Sequence, residues 1–292
     1  MFQSGLICTN FSDGLQRLVD YVPELAQSGL KQIIFFHSIP AWKQGRIPSA
    51  HDPDIIEARQ KLEPALKKIP DGIDVKIEIN PGRSQEAILE LLKKYPIDVI
   101  FTIPPSIHGT NEQIFGLPTL DLAKATNIPL MLMRPELTSV YMNDELALRC
   151  QHLWRYLLIP YDDGDAAQYL ISQIKEYATK NPAHGVKECF LLWVLHNRGR
   201  DAELLNIRQQ EAQTKLDNIK QDLETLNLKV TTEVRIGEPI LEITKVAVEK
   251  DISALAFSML HRNPFLSFAA PSLGTSILSQ VWFPMIFFSP KK

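Results

Sequence analysis

The chain of 292 residues is 45% hydrophobic and 22% charged, and its 31 Lys and Arg against 34 Asp and Glu give a formal net charge of −3. That length is a prior for two domains of about 150 residues each, and a balanced charge with no long block of one sign excludes the basic footprint of a nucleic-acid or anionic-membrane binder. Cys8, Cys150 and Cys189 are too few and too far apart for a disulfide framework. The opening residues lack the basic and apolar regions of a signal peptide, and no apolar run approaches the ~20 residues of a membrane span, so the expectation is a cytoplasmic protein.

In chain order, a β-rich run at 6–9 leads to a helical stretch in which Leu15, Leu18, Val19, Val22 and Leu25 share one face behind Ser12 as N-cap. Strands are predicted at 32–37 and 74–79. Pro81-Gly82 then turns into the helical run 85–92, and apolar strands follow at 98–102 and 130–133. The stretch 136–155 reads as a connector holding a short helix around 144–152. Beyond it, strands are predicted at 156–161, 188–195, 228–234, 253–257 and 285–288. The second helix of this half starts near Asp201, and Leu205, Ala212, Leu216, Ile219, Leu223 and Leu226 form an apolar stripe, read as a core face.

The order is one unit written twice. Gly82 and Gly237 stand 155 positions apart, as do Pro129 and Pro284, whereas Asn10 and Asp162 stand 152 apart. The second copy therefore gains three residues between its first strand and the Gly turn, a change that surface loops absorb cheaply. Short apolar strands alternating with helices describe an α/β protein with two repeated five-stranded parallel sheets. The boundaries are 1–135 for the first domain, 136–155 for the connector and 156–290 for the second domain.

Glu233-Val234-Arg235-Ile236-Gly237-Glu238-Pro239-Ile240-Leu241-Glu242-Ile243 resembles the strand, Gly-acidic-Pro turn and helix of the universal stress protein family. Leu157-Leu158-Ile159-Pro160-Tyr161-Asp162 is similar to its opening strand ending in Asp. In the first copy, Leu6-Ile7-Cys8-Thr9-Asn10-Phe11-Ser12 matches with Asn10 in place of the Asp, and Ile33-Ile34-Phe35-Phe36-His37-Ser38-Ile39 resembles the second strand. The likeness covers nearly the whole chain, twice. It implies the Rossmann-like, adenine nucleotide alpha hydrolase-like fold. It also implies that the last strands of the two domains pair antiparallel, so that the runs 130–133 and 285–288 meet in a pseudo-two-fold pair.

In an open parallel sheet, ligands bind beyond the carboxyl ends of the strands. Asp162 stands there, either facing a ligand or serving as a turn residue for the helix after Gly164. Family members that bind ATP resemble one another in a loop of Gly, two residues, Gly, nine residues, Gly and then Ser or Thr after the fourth strand. Such glycines let the backbone approach phosphate. The corresponding residues are Ile103, Ser106, Gly116 and Leu117 in the first copy, and Ser258, His261, Pro271 and Ser272 in the second, with Gly274-Thr275 nearby. A branched Ile103 and an imino Pro271 erode that loop. Asn10 and Gly116 in the first copy, and Asp162, Ser258, His261, Ser272 and Thr275 in the second, are the candidate ligand-side residues.

No G-x-x-x-x-G-K-[ST], G-x-G-x-x-G or G-x-S-x-G occurs. The seven histidines show no metal-ligand spacing. His37 and His196, near the ends of the two second strands, read as loop hydrogen-bonders ahead of the alternative, pocket residues. The function expected is that of a non-catalytic stress or signalling protein that binds a protein partner or a small ligand. No cofactor, metal, nucleic acid or membrane is expected, and further homodimerisation is left open. The alternative is an ATP or AMP sensor in the second domain, with slow hydrolysis as an extension of it.

Overall fold

The computed structural model describes residues 1–39, 53–81, 84–104, 119–180, 185–196, 202–259 and 273–290. Contacts divide the chain into two units, Phe2–His152 and Leu153–Pro290. In the first, β1 (Ser4–Cys8), β2 (Gln32–Ile39), β3 (Asp74–Pro81), β4 (Val99–Thr102) and β5 (Leu130–Leu132) pair in parallel in the order β3-β2-β1-β4-β5. Every residue of β1, β4 and β5 is buried. Strands covered on both faces must be apolar throughout, which is why these runs lack alternation.

A 3-10 helix (Leu15–Asp20) and α1 (Val22–Gln27) join β1 to β2. Next, α2 (Pro53–Leu62) with a 3-10 turn (Glu63–Leu66) precedes β3, α3 (Ser84–Lys94) precedes β4, and α4 (Thr119–Thr126) precedes β5. Then come α5 (Pro135–Val140) and α6 (Asn143–Gln151).

The second unit repeats this plan with β6 (Tyr156–Pro160), α7 (Asp165–Lys180), β7 (Glu188–Leu195), α8 (Ala202–Glu224), β8 (Lys229–Ile236), α9 (Pro239–Glu249), β9 (Ala254–Ser258), α10 (Leu273–Gln280) and β10 (Met285–Phe288). Its strands are parallel in the order β8-β7-β6-β9-β10.

Strand register fixes the repeat residue by residue. Ser4 lies beside Gln32, and Gln32 beside Asp74. In the second unit Tyr156 lies beside Glu188, and Glu188 beside Lys229. The offset is thus 152 positions at the first strand, 156 at the second and 155 at the third. It stays at 155 through Val99 and Ala254, and through Leu130 and Met285. The net gain of three residues is therefore a gain of four before the second strand and a loss of one after it.

Two prolines make the units differ. The helix expected behind Ser12 is instead broken at Tyr21, because Pro23 has no N–H for Val19 and its ring would clash with that carbonyl; α1 restarts with Pro23 in its first turn. Ser12 does not cap it. The Leu15 N–H donates to Asp13 Oδ1 (3.0 Å), while Ser12 N and Oγ donate to Asn10 Oδ1 (2.9 Å each). Leu15, Leu18, Val19, Val22 and Leu25 are nevertheless all buried. Pro64 likewise ends α2 in a 3-10 turn, whereas α7 and α8 run unbroken for 16 and 23 residues. Along α8, Ala212, Leu216 and Leu223 are buried and Leu205 and Ile219 half-buried, as is Leu226 two residues past its end, which makes the stripe a core face.

The stretch 136–155 forms two helices where one was expected, and they belong to the first unit. Arg17 donates to the carbonyls of Thr138 (2.5 Å) and Tyr141 (2.9 Å), Tyr21 Oη donates to Asn143 Oδ1 (3.2 Å), and Leu146 and Cys150 are buried. Gly14 has φ +76°, and a Cβ there would collide with Thr138 Oγ1, so glycine is required on two counts.

Each third strand is clamped to the helix that follows it. Glu78 on β3 accepts from Lys94 Nζ (2.8 Å) and Tyr95 Oη (2.5 Å). On β8, Arg235 is 17% exposed and reaches Glu233 (2.6 Å), Glu242 (3.5 Å) and Glu249 (2.5 Å).

Candidate functional site

The loop leaving the first strand opens with the same turn in both units. Asn10 Oδ1 accepts the Ser12 N–H and Asp162 Oδ1 accepts the Gly164 N–H (3.0 Å), while the residue between them is left-handed, Phe11 at φ 65° and Asp163 at φ 61°. Such turns are what Asn and Asp side chains make locally. The turn reading of Asp162 is therefore realised, and its side chain stays exposed.

In the first unit the buried Asp13 carboxylate accepts from Thr9 Oγ1 (2.9 Å), Asn10 N (2.9 Å) and Leu15 N (3.0 Å). Burial pushes its carboxyl above the ordinary range against the pull of those bonds. His37 lies within β2, two residues from its end, with Nδ1 2.8 Å from the Thr9 carbonyl. A carbonyl only accepts, so Nδ1 carries the proton. Burial holds the ring below its ordinary pKa, against the Thr9 bond, and the ring sits 4.2 Å from that of Phe11.

In the second unit Asp163 accepts from Tyr161 Oη (3.0 Å) and from Lys215 Nζ (2.5 Å), and these bonds, that of Lys215 foremost, hold its carboxyl below the usual range. Tyr161 packs edge-on to Trp193 at 5.6 Å. Burial raises its phenol well above the ordinary value, and the Asp163 hydrogen bond adds to this. By register His37 corresponds to Trp193, since Ile79 and Val234 beside them are 155 apart. His196 lies just beyond β7, its Nδ1 3.8 Å from Glu238 Oε1.

At the ends of β4 and β9, Ile103 is buried, and Thr102 Oγ1 and Ser258 Oγ are buried without a hydrogen-bond partner among the described residues. Because β6 and β9 are adjacent and parallel, Asp162 and Ser258 stand at one edge of the same sheet. Thr275 is exposed in the first turn of α10. The neighbouring Gly274 is covered, since a Cβ there would collide with the Met259 side chain. Gly116, Ser106, Leu117, His261, Pro271 and Ser272 lie outside the described residues.

Sequence reasoning missed Asp13, Lys61, Trp193, Lys215 and Met259. The lysines had a signal, a Glu one turn earlier in each second helix (Glu57 and Glu211), but the drifting offset hid it. The three cysteines are buried and free, and burial raises their thiols, that of Cys189 to about 12, so they are poor nucleophiles. Among the described residues, no group of three His, Cys, Asp or Glu converges as a metal site, and no helix is long and apolar enough to cross a membrane.

These features define a class: an open, parallel five-stranded α/β unit in tandem, with its loops of interest at the strands' carboxyl ends. No protein-family model matches the chain, and no curated protein matches it in sequence. Solved structures do match it in shape. A universal stress protein from Archaeoglobus fulgidus superposes over 99% of this chain and 97% of its own with a TM-score of 0.62 at 14% identity. A candidate universal stress protein from Pseudomonas aeruginosa covers 99% of this chain and 94% of its own (TM-score 0.57, 12% identity). Another protein from that organism, of unknown function, covers 99% and 93% (TM-score 0.57, 10% identity). The fold is therefore that of the universal stress proteins, written twice.

Proposed function

We propose that this chain is a non-catalytic tandem universal stress protein of the cytoplasm, serving a stress response or signalling by binding a protein partner or a small ligand. Its nucleotide loops have lost the phosphate cradle. The observation that carries this reading is the packing of Met259 over Gly274. A glycine beside a phosphate must present bare backbone N–H groups, and here a thioether covers the backbone. Ile103 puts a buried branched side chain at the corresponding end of β4. Mass spectrometry of small molecules released from natively purified protein tests the reading, with empty pockets expected. Saturable micromolar ATP binding by calorimetry that Asp162→Ala abolishes would overturn it.

One observation favours a second reading, an ATP or AMP sensor in the second unit. The buried Ser258 Oγ lacks a partner among the described residues, and Asp162 is exposed at the same sheet edge. A bound nucleotide hydroxyl or phosphate would satisfy that oxygen. Retained nucleotide that Ser258→Ala releases would establish this reading in place of the first.

A further inference from the structure

Three pairs of positions correspond between the units. Phe11 matches Asp163, His37 matches Trp193, and Lys61 matches Lys215. The last pair is 154 positions apart, the offset that also sets buried Ala58 and Leu62 on buried Ala212 and Leu216. In the first unit Lys61 Nζ sits 5.0 Å from the centre of the Phe11 ring, which rests on His37, and Glu57 steadies the ammonium from one turn earlier (2.7 Å). In the second, Lys215 Nζ binds Asp163 Oδ2 at 2.5 Å and lies 5.9 Å from the Trp193 ring centre.

The left-handed residue under the lysine differs in chemistry, a phenyl ring in one unit and a carboxylate in the other. What persists is a cation from the second helix resting on the left-handed residue of the first-strand loop. A non-glycine residue at positive φ, Phe11 above all, holds that conformation only where its surroundings impose it.

We propose that Lys61 and Lys215 are a duplicated strap, each fastening the first-strand loop of its unit to the second helix, and that the loop bearing Asn10 or Asp162 opens when the strap is released. The second unit's strap is an ion pair between an exposed lysine and a half-buried carboxylate and is screened by salt. The first unit's strap is a cation–π contact, less dependent on a second full charge. The inference is independent of which ligand, if any, the loops serve.

Hydrogen exchange followed by mass spectrometry on the full chain tests it. Lys215→Met, which keeps the stem and loses the charge, should speed exchange at the Gly164 and Gln168 amides about threefold while leaving the first unit unchanged. Lys215→Arg should hold wild-type protection. Lys61→Met should speed exchange at Ser12 and Leu15 and leave the second unit alone. Equal protection at Gly164 and Gln168 in the wild type and in Lys215→Met, or equal loss in the Met and Arg variants, overturns the strap. If a variant does not fold, the wild type decides: raising salt from about 50 to 500 mM should loosen the second loop more than the first, and equal response overturns the proposal.

Discussion

The third strand and its following helix are tied together in both units, yet the charges that do it are arranged differently. In the first unit the matched positions hold opposite charges, Glu78 and Lys94, which pair directly. In the second they hold like charges, Glu233 and Glu249, each 155 positions on, and Arg235 stands between them while also reaching Glu242. A direct pair loses one contact when a partner goes. A bridged set of acids loses the cation that joins Glu233 to Glu249 and keeps the repulsion, with Lys245 left on Glu242 alone. One geometry thus tolerates change at its cation and the other does not.

The comparison sharpens into four expectations. The largest effect concerns the matched core leucines: Leu62→Ala and Leu216→Ala should each destabilise their unit by about 2–5 kcal/mol, because both are fully buried at the same point of the second helix. Denaturant unfolding with unit-resolved hydrogen exchange measures both, and a clear inequality would mean the two cores are packed to different tightness. Next, Gly14→Ala should cost about 2 kcal/mol from its positive φ alone, and more from Thr138. The matched residue of the second unit is already Ala166, so Ala166→Gly should cost far less.

Third, Arg235→Met should destabilise the second unit by about 1–2 kcal/mol at neutral pH, whereas Lys94→Met should be mild in the first. The pH dependence has a definite sign. Lys245 and Arg235 hold Glu242 below its ordinary pKa of 4.5, and Arg235 does the same for Glu249. A depressed folded pKa gives stability that is present above the unfolded value and lost as pH falls through the folded one. The gap between wild type and Arg235→Met should therefore close as the pH drops below about 4.5, as thermal melts across an acid series would register. Glu78 behaves likewise, the bonds from Lys94 and Tyr95 outweighing the burial that opposes them.

The smallest effect belongs to the two buried hydroxyls that have no hydrogen-bond partner among the described residues. Thr102→Val and Ser258→Ala remove a buried oxygen without stranding a partner, so each should be neutral or stabilising by about 1 kcal/mol or less. A loss of stability at Ser258 alone would separate the units by showing that its hydroxyl has a partner.

The sheets were legible in the sequence because buried parallel strands must be apolar throughout. β7 and β10 begin and end where the pattern places them, and the other boundaries shift by a residue or two. The helices were less so. Leu15 to Leu25 carry a helical stripe that remains buried across the break, so periodicity alone hides the effect of Pro23. The site was read only in part. Asn10 and Asp162 stand out as the polar ends of two apolar runs, whereas Trp193 was passed over for His196, since the offset shifts from 152 to 156 between neighbouring strands. Glu233, Glu242 and Glu249 are unremarkable along the chain and form a cluster only once β8 lies beside α9.

The docking of α5 and α6 on the first helix decides where this polypeptide can be halved. Severed at residue 135, the amino-terminal piece would lose the carbonyls that hold Arg17, the hydroxyl wedged against Gly14, and the cover over Tyr21. Severed between His152 and Leu153, it would keep all three, so the later scissile point is the one at which each half retains its own packing.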